Sequence, residues 1–136
     1  MKIYKKHIIL DKFEFDVAID REITAKAFEE FPDFTTYALS NSENKDDIVA
    51  TAIKEKKLLQ LFELNDEMGE LVKFALPLMM KKAGEENAEE KAKEIFAFVD
   101  ENEFTDEFSS KIFEIICLGF TRGTGEKKKK VKFSVI

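Results

Sequence analysis

Chemistry needs polar groups that converge, and this chain of 136 residues offers only one histidine and one cysteine. His7 falls in a stretch patterned as a strand and reads as a partly exposed sheet residue. To act as a general base it would need an orienting acid, which the sequence does not place. Cys117, inside IICLGF, reads as a small core residue, because a reactive thiolate requires electropositive, accessible surroundings. A lone thiol excludes an intramolecular disulfide, and one thiol with one imidazole cannot build a cysteine/histidine zinc site. The acidic run DENEFTDEF from Asp100 fails as an EF-hand loop: Phe104, Thr105 and Lys111 stand where an oxygen ligand, glycine and glutamate are required. Gly119, Gly123 and Gly125 in GFTRGTGEK fit neither G-x-x-x-x-G-K-[ST] nor G-x-G-x-x-G, and read as a hinge leaving the last helix. Carboxylates for paired acid/base work are abundant, but abundance alone points to no site. The expectation is therefore a protein without catalytic, cofactor-binding or metal-ligating residues, not an enzyme, and with no cofactor implied.

Charge is more informative than any single residue. The formal net charge of -6 and pI near 5.0 hide two regions of opposite sign. Residues 1–121 carry 16 Lys/Arg against 27 Asp/Glu, and residues 122–136 carry 6 against 1. The body is thus -11 and the tail +5. The acids are densest between Glu85 and Glu107, where a solvated helix face is the plain reading and steering of a basic partner the functional one. In the tail, Lys127 to Lys130 and Lys132 suit a solvated segment, contact with the acidic body of another copy, or nucleic acid. The low pI argues against general nucleic-acid affinity. No run of 18 apolar residues is present, so no membrane association is expected and a cytoplasmic home is the default.

These residues have to be positioned by few elements. Lys2 to Leu10 and Phe13 to Ile19 read as strands joined at Asp11-Lys12, the second with clean period-two alternation. Asp20 is placed to cap a helix from Arg21 carrying Ile23, Ala27, Phe28 and Phe31 on one face, and Pro32 ends it. Asp33 can start a short helix through Tyr37 and Ala38, and Ser40 to Asn44 read as a loop. Apolar spacing then predicts a helix from about Asp46 to Leu64, and a restart at Asn65 or Asp66 that Pro77 should kink or split. The ALPLMM segment reads as a buried central helix, with a Met-rich partner surface as the alternative. Gly84 should end this helix. Asn87 with Glu90 forms a candidate capping box, and a last helix runs from about Asp106 to Phe120 behind Thr105. Alternation at Val131, Phe133 and Val135 could supply a further strand. The fold expected is α+β, mainly α-helical: an N-terminal β-hairpin followed by about five helices as one domain over 1–121, then a basic flexible tail over 122–136.

Three features carry a family resemblance: the opening KKHIILDKFEFDVAIDREI, the acidic helical middle from about Phe28 to Phe120, and the lysine-rich tail. Together they resemble the small tail assembly chaperones of long-tailed bacteriophages, particularly those of phages and prophages of low-GC Gram-positive bacteria. Such chaperones are commonly made in two lengths by ribosomal slippage, and four consecutive lysine codons at Lys127 to Lys130 are necessarily A-rich. The resemblance implies a role in the host cytoplasm, the shorter product coating the tape measure protein and a frameshift-extended product bringing tail tube protein to it. Helix-in-groove recognition needs apolar surface, for which Phe74, Leu78, Met79, Phe96, Phe113 and Phe120 are the candidates. Self-association is a further expectation. The alternatives are a small acidic regulatory or anti-host phage protein that occludes a partner, and a small enzyme whose site assembles only in the fold.

Overall fold

Period-two patterning at the N-terminus becomes a hairpin. In the computed structural model, which describes residues 3–35, 54–56, 58–120 and 129–133, strand β1 (Tyr4–Leu10) pairs antiparallel with β2 (Phe13–Ile19) in a register running from Tyr4 opposite Ile19 to Leu10 opposite Phe13. The turn is two residues long, and Asp11 adopts φ 53, a left-handed conformation that a short polar side chain tolerates. Tyr4, Lys6, Ile8 and Leu10 are all buried. Alternation in β1 is therefore as regular as in β2, and the inward Lys6 is what disguises it. Its aliphatic stem suits the apolar side of a sheet.

Helix α1 (Arg21–Glu30) starts where expected: Asp20, with extended backbone, accepts a hydrogen bond from the Ile23 amide at 3.0 Å. A single helical turn occupies 32–35. Next comes the long helix α2 (Leu58–Lys82), continuous where the pattern suggested a break at Asn65 or Asp66 and another at Pro77. Pro77 costs the helix one donor and crowds the carbonyl of Lys73. Lys73 is exposed, so that carbonyl can tilt toward water without parting the helix. The end of α2 is a Schellman motif about Gly84 at φ 91, with the Gly84 amide donating to the Lys81 carbonyl and the Glu85 amide to the Met80 carbonyl, both at 3.0 Å.

Helix α3 (Ala88–Glu101) lacks the expected capping box. Asn87 sits at φ 53 and its side chain makes no capping hydrogen bond, leaving Glu89 and Glu90 in the first turn to offset the helix dipole. Helix α4 (Thr105–Cys117) includes Thr105 as its first residue rather than as its cap, and a 3-10 turn over Leu118–Phe120 extends it. The Thr105 hydroxyl donates back to Asp100 at 2.5 Å, tying the ends of α3 and α4 together.

Within the segment expected as a basic flexible tail, strand β3 (Lys129–Phe133) lies parallel to β1, with Val131 opposite Ile8 and Phe133 opposite Leu10. This is the strand that alternation at Val131 and Phe133 anticipated. Among the described residues the sheet order is β2-β1-β3, a parallel pair bridged by the whole helical body, as parallel pairing demands a long crossover. The α+β, mainly helical class is as the patterning anticipates.

The core is built around the second half of α2. Leu71, Val72, Ala75, Leu76, Met79 and Met80 are fully buried and join Ile8, Leu10, Val17 and Ile19 of the sheet with Ile95, Val99, Phe108, Ile112 and Ile116 of α3 and α4. ALPLMM is thus a central buried helix, with both methionines inside. The positions Tyr37, Ala38, Ile48, Ala52, the loop over 40–44, and the hinge glycines Gly123 and Gly125 lie outside the described residues. No helix among the described residues is long and apolar enough to cross a membrane.

Candidate functional site

Phenylalanines dominate the surface where α1, α2 and α4 meet. Phe28, buried on α1, contacts Phe113 of α4 at 5.8 Å and Phe120 of the 3-10 turn at 5.0 Å between ring centroids. Phe34 packs edge-on against Phe113 at 5.4 Å, and Phe31 against Phe74 of α2 at 6.3 Å. Helical spacing explains the assembly: Phe31, the C-cap of α1, follows Phe28 by one turn, and Pro32 lets the chain turn so that Phe34 folds onto the same rings. Each tilted or edge-on pair contributes roughly 0.5–1.5 kcal/mol beyond burial of its area. Two members nevertheless face water, Phe74 at 36% and Phe120 at 52% exposure. In the sequence next to these phenylalanines the exposed acids are Glu29, Glu30, Asp33, Glu70 and Glu114 and the exposed cations Lys26, Lys73 and Lys111, with Lys73 paired to Glu70 at 3.8 Å.

Of the residues anticipated for partner contact, the fold brings only some to this surface. Phe74 and Phe120 are exposed, and Phe113 is half-buried between Phe28 and Phe34. Leu78 is half-buried against the core, while Met79 and Phe96 lie within it, Phe96 stacking edge-on against Phe108 at 5.7 Å. Phe31, which belongs to the aromatic surface, was missed as a site residue. Its signal was the Phe28, Phe31, Phe34 spacing, one turn per step.

A second constellation lies on the other side of the hairpin. His7 donates from Nδ1 to Asp16 Oδ1 at 2.6 Å and from Nε2 to Glu14 Oε1 at 2.7 Å. With both ring nitrogens facing carboxylates, the imidazolium is the form that satisfies the geometry. The hydrogen bonds to Asp16 and then Glu14 raise its pKa above the ordinary 6.5, against a smaller opposing effect of desolvation. Glu85 extends the network: its Oε1 accepts from the Asp16 amide at 2.7 Å and its Oε2 binds Lys91 Nζ at 3.1 Å. Glu85 thereby occupies a backbone donor on the outer edge of β2. Of the dense acidic stretch, Glu85 is structural, whereas Glu86, Glu89 and Glu90 are exposed. The His7 cluster has no nitrogen left to take a proton, so it acts as a clamp between strands.

A third junction joins α1, α2 and α4. Burial pulls the Asp20 carboxyl upward, but the Ile23 amide and Lys82 outweigh it and hold it below its ordinary value. The Lys82 ammonium lies 3.1 Å away. The Thr24 hydroxyl donates to the Ile116 carbonyl at 2.7 Å, satisfying a carbonyl of the last turn of α4. Gly119 passes so close that a Cβ there would meet Thr24 Oγ1 at 1.8 Å and the Asp20 carbonyl oxygen at 2.9 Å. Cys117, half-buried beside this junction, has its thiol pushed up to about 11 by burial and by Glu114, which makes it a poor nucleophile at neutral pH. No group of three or more His, Cys, Asp or Glu among the described residues is arranged to hold a metal ion. Compared with family models, curated proteins and solved structures, the chain matches none.

Proposed function

We propose that this chain is a tail assembly chaperone of a long-tailed bacteriophage, which binds helical segments of the tape measure protein and keeps them soluble in the host cytoplasm. The observation that carries the reading is the aromatic surface: Phe74 and Phe120 face water while seated on Phe31 and Phe28. Rings held by neighbours lose little freedom on binding, so an amphipathic helix can dock on them at low entropic cost. The acidic body suits the role as well, because like charge keeps a multiply coated complex in solution. A frameshift-extended form would bring tail tube subunits to the same complex, and the lysine run at Lys127 to Lys130 is where a slippery sequence would lie.

Co-expression is the test. A tape measure protein from the same phage or prophage should stay soluble with the wild-type chain and precipitate with a Phe74→Ser, Phe120→Ser variant. Precipitation with both chains would rule the reading out. The second reading, a regulatory protein that occludes a basic partner, draws on the exposed Glu86, Glu89 and Glu90. Neutralising those three residues would abolish binding on that reading and leave it intact on the first.

A further inference from the structure

The first half of α2 carries a surface that neither the core nor the aromatic cluster uses. Its buried side ends effectively at Leu71, and one turn after another before it the outward positions Leu59, Phe62, Glu63, Asp66 and Glu70 fall on one face at i, i+3, i+4, i+7 and i+11. Leu59 is 73% exposed and Phe62 55%. Single exposed apolar residues are ordinary, but two on adjacent turns of one helix face, followed by a stripe of carboxylates, form a two-part pattern. Between Leu58 and Val72 the helix holds Glu63, Asp66, Glu67 and Glu70 and no Lys or Arg. The flanking cations lie outside the stripe: Lys54, Lys56 and Lys57 precede the helix in the sequence, and Lys73, within α2, comes after the stripe, turned to Glu70 at 3.8 Å.

We infer that the outer face of α2 from Leu59 to Glu70 is a docking surface for a basic amphipathic helix, its apolar residues on Leu59 and Phe62 and its Lys or Arg residues over Glu63, Asp66 and Glu70. Charge complementarity selects this occupant. A second copy would bring an identical carboxylate stripe against the first, and like charges in contact oppose pairing. The surface is separate from the aromatic one, since Phe62 and Phe74 are twelve residues, or about 18 Å, apart along the helix axis. It stands whether or not the chaperone reading does, because any helical partner of this chemistry would use it.

The probe is a Leu/Lys amphipathic peptide of about 18 residues, long enough to form helix on binding, with a Leu/Glu peptide of the same pattern as comparator. Titrated into the purified full chain by calorimetry, the Leu/Lys peptide should bind with an affinity that falls as salt rises, and the Leu/Glu peptide should not bind. Phe62→Ser, and separately Glu63→Gln with Asp66→Asn and Glu70→Gln, should each weaken binding at least tenfold. Neutralising Glu86, Glu89 and Glu90 on α3 should leave it unchanged, and circular dichroism melts identify any variant that fails to fold. Equal binding of the two peptides, loss on neutralising α3 as large as on neutralising α2, or a dimer that Phe62→Ser dissolves would each overturn the inference. Phe74→Ser, Phe120→Ser should not affect the peptide, so failure here and failure of the chaperone reading are told apart.

Discussion

A methyl group added to Gly69 or to Gly119 would meet opposite surroundings. Gly69 lies inside α2 with nothing within 4 Å of an added Cβ, so Gly69→Ala should stabilise the protein by about 0.5–1 kcal/mol through helix propensity. Gly119→Ala would drive its Cβ into Thr24 and the Asp20 carbonyl, disturbing the Thr24–Ile116 hydrogen bond and the α1 cap together. It should destabilise by about 2–3 kcal/mol or more. Urea unfolding of the two variants checks both signs. Nothing in the glycine pattern of the sequence separates these positions, because the difference is made by a contact between segments 95 residues apart. The partners of His7 were likewise not legible, because they follow only once the structure fixes the two-residue turn at Asp11-Lys12 and so the register that puts His7 opposite Asp16. Its hydrogen bonds raise its folded-state pKa. The stability it contributes is therefore complete below the unfolded value near 6.5 and is lost as pH rises through the raised folded value. Wild type should lose stability relative to His7→Gln as pH is taken from 6 to 9. A constant difference between them over that range would show that the clamp does not titrate.

At the scale of elements, hydrophobic period decided what could be read. The β2 alternation, the Asp20 cap and the Gly84 terminus were legible because each is settled by local geometry. Continuity of α2 through Pro77 was not, since it depends on Lys73 facing water. Nor was the absence of a side-chain cap at Asn87, whose left-handed backbone follows from the turn after Gly84. Apolar spacing marked Met79 and Phe96 as well as Phe74 and Phe120, yet it cannot say which apolar residues meet other elements. Packing put the first two inside and left the others at the surface. Strand β3 makes a testable claim about elements. Because it pairs with β1 from Lys6 to Leu10, truncation after Phe120 should speed amide exchange in β1 while leaving Leu71 to Met80 of α2 protected. Unchanged exchange in β1 would mean that β3 adds nothing to the sheet's stability.

Across the whole molecule, charge and apolar surface are divided among places with different work. The carboxylates of Glu14, Asp16 and Glu85 are spent on holding the hairpin and covering the β2 edge. Those of α2 and of the α1 C-terminus stand around exposed Leu59, Phe62, Phe74 and Phe120. This division makes the net charge of -6 a poor summary of the protein, and the body and tail better ones. The proposed chaperone role depends most heavily on a helical partner docking at the aromatic surface. Sedimentation of the purified tape measure protein with wild-type chain, with Phe74→Ser, Phe120→Ser, and with Glu86, Glu89 and Glu90 neutralised tests it most directly. A complex with the wild type and the α3 variant, and at least tenfold weaker association of the aromatic variant at unchanged fold, is the result expected. Undiminished association of the aromatic variant would contradict the account.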